Sequence, residues 1–347
     1  MDKLDVLALA RNLPVVSAEV SQYRYAKYYE RSPFGPPLFF VARGCESQTA
    51  VGMAAVFPTR LRVLGGLVPA GISGDFAVDS DHRGFGPAIA LQRAVLSALK
   101  EEDQVCVYGS PNAFAESVIN RVGYADLGRL TRFVKVLEAK VFAGRYIRSP
   151  RLARLLSAIA VAVDPVLSAL SRERLYRRSA AFSVEEPDVF DDRFTDLWQT
   201  AWHQHKITTE RNVDFLNWKY DKTGAKEHRA NYKIFALVAG DRIAGYVVYQ
   251  VKDEVRHVFD ILFFPSKVVA DTLLSEFILD ARRGRAAAIT LLYLGPVNLL
   301  TRRLRAFGFL RRTEESGLRV HAESGRPAGV DLLRPENWYF LGGDTDV

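Results

Sequence analysis

The chain has 347 residues, 48% of them hydrophobic, with a formal net charge of +7 and a sequence pI near 9.3. That is ample apolar material for two folded domains and excludes a chain dominated by disorder. Two cysteines, Cys45 and Cys106, exclude a disulfide framework, and no apolar run approaches the roughly 18 residues of a membrane-crossing helix.

No apolar core follows the start Met1-Asp2-Lys3-Leu4-Asp5, so no signal peptide is expected, and a reducing cytoplasm suits the thiols. The basic surplus favours an anionic partner without choosing among a phosphorylated ligand, nucleic acid and an acidic membrane surface. In chain order, the pattern predicts strands at 38–42 and 50–57, a strand at 74–78, and an amphipathic helix over 87–99. A buried strand at 105–108 containing Cys106 comes next, then a helix at 113–121 and a strand at 132–137. Residues 139–163 hold no acidic side chain, and Arg145, Arg148, Arg151 and Arg154 recur every third position beside an apolar stripe of Leu152, Leu155, Leu156, Ile159 and Val163. Asp164-Pro165 reads as the cap and first turn of a second basic helix. Two readings stay open for this stretch: a helical linker packed on a domain, or a basic surface for anionic lipid or an acidic carrier protein.

The second half repeats the first. Strands are predicted at 234–238 and 243–250 around the turn Ala239-Gly240-Asp241-Arg242, then at 255–263, a helix at 267–282 and a strand at 288–293. Ser110-Pro111-Asn112…Gly123-Tyr124 aligns with Gly295-Pro296-Val297-Asn298…Gly308-Phe309. Gly74-Asp75-Phe76-Ala77-Val78 aligns with Phe259-Asp260-Ile261-Leu262-Phe263, and from Asp to Pro the separation is 36 residues in both copies.

One turn carries the chemistry. After Asp75-Phe76-Ala77-Val78-Asp79 comes Arg83-Gly84-Phe85-Gly86-Pro87-Ala88, a strand entering a glycine turn that opens a helix. Free amides and the positive helix end converge there, and glycines let a diphosphate approach the main chain. The segment resembles the pyrophosphate signature of the GNAT superfamily, Gln/Arg-x-x-Gly-x-Gly/Ala, at every specified position. The departure is Pro87, which has no N–H to give.

The resemblance implies an α/β (α+β) fold of two tandem GNAT-like mixed, mostly antiparallel sheets flanked by helices. It divides the chain into an acyl-CoA-binding domain at 1–140, a basic helical connector at 141–184 and a degenerate copy at 185–347. It implies transfer of an acyl group, acetyl first, from acyl-CoA to a primary amine, with an amino sugar as the first acceptor and no metal. Phe76, Ala77 and Val78 would pair with the pantetheine arm, while Arg83, Gly84, Phe85, Gly86 and Ala88 would hold the diphosphate. Asp75 would be the general base, and Asn112 would hold an amide or the thioester unless it only caps the helix after it. Many relatives carry a tyrosine as thiolate acid where Ile119 and Leu304 stand here, so that role has no occupant, and the hydroxyls of Tyr108 and Tyr124 are not placed by the sequence.

The second copy lacks paired glycines after Asp260. The segment 211–220 resembles one in tandem GNAT proteins of surface-polysaccharide and amino-sugar modification, which would make Arg211, Trp218 and Tyr220 sugar contacts. His203-Gln204-His205 has no further ligands in view for a metal, Lys222-Thr223-Gly224-Ala225-Lys226 lacks the order of a P-loop, and no nucleic-acid module is present. The tail after Glu336 reads as a last strand with a frayed acidic end. Alternative readings are a long-chain N-acyl amino acid synthase whose basic 145–178 region docks an acyl carrier protein, a non-catalytic acyl-CoA-binding protein, and an aminoacyl-tRNA-dependent transferase, which the intact loop disfavours.

Overall fold

In a computed structural model of the chain, the described residues are 18–46, 48–82, 85–102, 104–138, 171–176, 180–221, 231–322 and 329–345. Their elements, in chain order, are α1 (Ala18–Tyr25) running into a π-helical turn (Ala26–Glu30), β1 (Leu38–Arg43), β2 (Ala50–Val63), β3 (Gly66–Val78), α2 (Phe85–Glu101), β4 (Cys106–Gly109), α3 (Ala113–Arg121) and β5 (Ala125–Val136). Then come α4 (Arg172–Leu175), β6 (Ser183–Glu185), α5 (Asp192–Ala201), β7 (Ile207–Thr209), α6 (Val213–Lys219), β8 (Lys233–Ala239), β9 (Arg242–Lys252), β10 (Val255–Phe263), α7 (Lys267–Arg283), β11 (Ala288–Leu294), α8 (Leu299–Ala306), β12 (Leu310–Ala322) and β13 (Trp338–Leu341).

They fall into two compact units that alternate along the chain: unit 1 is 1–130, 205–230 and 314–347, and unit 2 is 131–204 and 231–313. The described parts of 205–230 and 314–347, which the linear division places with the second copy, therefore fold with the N-terminal segment. The cause is an open strand edge. Past Phe57, where a strand end is expected, β2 continues to Val63, and its last residues need a partner. β7 supplies one (Leu61 opposite Thr209, Val63 opposite Ile207), and β13 then pairs with β7.

Unit 1 orders its strands β13-β7-β2-β3-β4-β12, with β1 also on β2. β2 and β3 form a long hairpin whose turn, Leu64-Gly65, has both residues at positive φ (47° and 95°), as a tightly twisted two-residue turn requires. The apolar spacing of α2 lays Leu91, Val95 and Leu99 on Ala54 and Val56 of β2 and Val107 of β4. Burying each such side chain stabilises by about 1.5–3 kcal/mol.

Unit 2 orders its strands β5-β11-β10-β9-β8-β6. The predicted hairpin turn is present: Ala239 faces Arg242, and Gly240 takes φ 60°. β10 and β11 are parallel and joined by α7, just as β3 and β4 are parallel and joined by α2. Of the basic connector, 141–170 lies outside the described residues. Its far end does not: Glu173 of α4 is fully buried and meets Lys135 at 3.3 Å and Arg282 at 2.9 Å. Among the described residues, no helix is long and apolar enough to cross a membrane.

Candidate active site

The site begins with an irregularity in β3. Met53 of β2 faces Ala77, yet Ala55 faces Gly74, so Asp75 and Phe76 together oppose Ala54 alone. This is a β-bulge, and it takes one residue's main-chain groups out of the ladder. Asp75 sits in it at φ 45°, a conformation that costs a side-chain-bearing residue energy and that Asp tolerates better than most. Its side chain is 5% exposed. Oδ1 accepts from Arg24 Nε at 2.7 Å and Oδ2 from the Tyr29 hydroxyl at 2.9 Å. Burial and the Asp75 charge push the Tyr29 phenol well above its ordinary range.

Ahead of the bulge, β3 parts from β4. β3 and β4 pair in parallel at Gly71 with Val107 and Ile72 with Tyr108, and their paired register ends there. The helices after these strands, α2 and α3, therefore start at the same edge of the sheet. Phe76 and Val78 pack half-buried against the core beneath α2 and α3, and Ala77 packs with Met53.

At the start of α2, Arg83 and Gly84 lie outside the described residues, and Phe85 is described only as helix backbone. The turn before them is described: Asp79 Oδ1 accepts from Asp81 N at 3.0 Å. Gly86 is exposed, and a Cβ built on it would meet nothing within 4 Å, so its face of the first turn is open. Ala88 is buried and anchors the turn. The first turn holds no acidic side chain. Amides of a helix's first turn have no partner within the helix, so this open end can take an anion.

Asn112 is the cap of α3. Its Oδ1 accepts from Phe114 N at 3.1 Å and Ala115 N at 2.9 Å, which leaves that oxygen no role toward a substrate amide. Ile119, at the position of the missing tyrosine, is buried in the apolar core. The structure also places the two hydroxyls that the sequence could not: Tyr124 donates to Gln92 Oε1 at 3.4 Å, and Tyr108 is buried between Trp338 and Phe340. Burial pushes both phenols up, and neither stands at an open surface.

The three residues expected to contact a sugar are not laid out as an open wall. Arg211 is 1% exposed; its guanidinium meets Asp344 twice at 3.0 Å, Thr208 Oγ1 at 2.9 Å and Thr209 O at 2.8 Å. Tyr220 is buried as well. Trp218 is half-buried, donates from Nε1 to Lys27 O at 2.9 Å and sets its ring edge-on to Tyr28. Up to Thr345 the tail is not frayed: Gly342, Gly343 and Asp344 are buried, because Asp344 is the partner Arg211 needs. His203 and His205 each stack on an aromatic ring, Trp202 and Tyr339. Burial and the Arg211 charge hold the His205 imidazole down to about 3. Lys222–Lys226 lies outside the described residues.

Sequence reasoning missed Arg24, Lys27 and Tyr29. Their signal was the run Tyr23-Arg24-Tyr25-Ala26-Lys27-Tyr28-Tyr29, too rich in aromatics and cations for a plain surface helix. Lys27 is buried among Tyr23, Tyr28 and Trp218, its Nζ 5.7–5.9 Å from their ring centres and donating to Lys219 O at 2.9 Å. Burial first, then the Lys219 charge, brings its amine down to about 7 from 10.5. The folded pKa is the lower one, so between those limits the unfolded chain binds a proton that the native one does not. Stability therefore rises with pH through that window, and the cost is complete below it. Lys27→Met should raise the urea midpoint over wild type at pH 6, and the gain should shrink by pH 10; an equal difference at both pH values would show that Lys27 stays charged in the fold.

Residues 19–126 match the family model described as "Acetyltransferase (GNAT) domain". Among curated proteins none matches the sequence significantly. Solved structures are similar in fold. A probable N-acyltransferase from Enterococcus faecalis V583 is 12% identical with a TM-score of 0.65, over 93% of this chain and 71% of that one. A GCN5-related N-acetyltransferase from Anabaena variabilis is 14% identical with a TM-score of 0.65, over 92% and 71%. The N-myristoyltransferase of Saccharomyces cerevisiae, solved with myristoyl-CoA, is 12% identical with a TM-score of 0.54, over 91% and 78%. The chain has the mixed α/β fold of these solved structures, and its residues 19–126 match the GNAT acetyltransferase domain model.

Proposed function

We propose that the protein is an acyl-CoA-dependent N-acyltransferase, moving an acyl group, acetyl first, to a primary amine such as an amino sugar. The observation that carries this is the bulge at Asp75 combined with the parting of β3 from β4, directly before a helix whose first turn is open at Gly86. A diphosphate sits on the α2 amides. The pantetheine arm runs along Phe76–Val78, and the thioester carbonyl meets the main-chain N–H that the bulge releases. The amine attacks that carbonyl, the new N–C bond forms, and the C–S bond breaks. Asp75 takes the ammonium proton through water on a carboxylate lone pair that Arg24 and Tyr29 leave free. The thiolate leaves and is protonated by solvent, since Ile119 offers no acid.

Unit 2 reads as a degenerate copy. It repeats the strand–helix–strand order, and β10 is irregular beside Asp260, where Val258 faces Tyr249 and Asp260 faces the adjacent Val248. It has no glycine turn before α7. The connector's basic stretch leaves an acidic carrier protein or an anionic membrane as a second partner.

Titration with acetyl-CoA, followed by transfer assays on an amine panel that includes glucosamine, tests the reading. Asp75→Asn should bind CoA within about threefold of wild type and lose about 100-fold in kcat, the lower end of what a positioned base contributes. Binding without turnover on any amine would favour a non-catalytic acyl-CoA sensor, and reaction with carrier thioesters alone would change the donor.

A further inference from the structure

The bulge needs something to hold it. A strand residue with a side chain at φ 45° relaxes toward ordinary extended backbone unless its surroundings fix it. Here the side chain does the fixing. Asp75 is tied at both oxygens, and both ties come from one short stretch of chain, residues 24–29, packed over β2 and β3. Arg24 is itself seated, its guanidinium 4.7 Å from the centre of the Tyr28 ring. Tyr29 stacks on Tyr25 at 4.9 Å and meets Phe39 and Phe57 edge-on, so its hydroxyl has little freedom to move away. A similar pairing occurs in unit 2, where the Tyr246 hydroxyl lies 3.5 Å from Asp260 beside the irregularity of β10.

We propose that Arg24 and Tyr29 are positioning residues: through Asp75 they lock the β3 bulge, and the lock aims the released main-chain amide at the acyl carbonyl. This rests on the acyl-CoA reading for its ligand, but the lock itself is a property of the free protein. The diphosphate grip at α2 is independent of it. Loss of the lock therefore removes discrimination for the acyl group and leaves affinity for the nucleotide end of the ligand.

The informative variant is Tyr29→Phe, which keeps every ring contact and deletes only the hydroxyl. Arg24→Met removes the other tie. Two measurements are made on the full chain. In hydrogen–deuterium exchange of the free protein, amides of 73–78 should exchange about tenfold faster in each variant while those of α2 are unchanged. In titrations, the ratio of the CoA to the acetyl-CoA dissociation constant should fall by about 3- to 10-fold, the worth of one hydrogen bond, with CoA affinity itself unaltered. Unchanged exchange at 73–78 in both variants overturns the lock whatever the ligand proves to be. Faster exchange with an unchanged ratio overturns its role in aiming the amide. A wild-type protein that binds neither CoA nor acetyl-CoA sinks the acyl-CoA reading, and the exchange result then decides the lock alone.

Discussion

Gly86→Glu should weaken acetyl-CoA binding by about 100-fold, or ~2.8 kcal/mol, without loss of stability. Two opposite electrostatic consequences make this substitution decisive. A carboxylate in a helix's first turn meets the positive end of the helix and stabilises it by about 0.3–1 kcal/mol. The first turn of α2 has no acidic residue, and a Cβ at Gly86 meets nothing within 4 Å, so the new side chain starts into open space. That same carboxylate stands where the diphosphate would sit, and it both repels the ligand and occupies the amides. Gly86→Gln is the control: it is as long as Glu but uncharged, and it should bind acetyl-CoA about 10-fold more tightly than Gly86→Glu. Urea unfolding and acetyl-CoA titration of the two variants check the claim. If Gly86→Glu binds like wild type, no diphosphate rests on that turn.

What the sequence made legible was whatever depends on neighbours along the chain. The helix at 113–121 and the strand at 255–263 lie where periodicity puts them, since their apolar spacing and caps are local. The strand-to-turn-to-helix order around Gly86 was equally readable. The strand expected to end at Phe57 continues to Val63 because β3 runs beside it and β7 closes its far edge. No local pattern could assign β7 and β13 to unit 1, since their pairing joins residues more than a hundred positions apart. The site shows the same limit. Asp75 was visible as a strand carboxylate after a glycine, but its partners Arg24 and Tyr29 come from a stretch some fifty residues earlier. Arg211 was expected to contact a sugar because its segment resembles one in tandem GNAT proteins, and only the returning tail shows what it binds.

That tail carries the largest expected effect on stability. Arg211→Met should cost about 3–5 kcal/mol, since it strips one partner from a buried ion pair and leaves the other charged and unsolvated. The stranded partner is Asp344, whose Oδ2 also accepts from Leu341 N at 2.7 Å and so cannot readily turn away to water. The Arg211 guanidinium also satisfies Thr208 and Thr209 at the end of β7, so its loss loosens the strand edge as well as the tail. Lys219 supplies a second tie, donating to Thr345 O, which is why a local loosening rather than release of the whole tail is expected. The urea midpoint should fall by roughly 1–2 M if m is near 2.5 kcal/mol/M. Asp344→Asn keeps an acceptor for Leu341 and should cost less, and in the double variant the two losses should fall well short of adding, with a coupling above about 1 kcal/mol. Additive losses, or an Arg211→Met cost below about 1 kcal/mol, would mean that water reaches this pair and that the C-terminal strand is held by its apolar contacts alone.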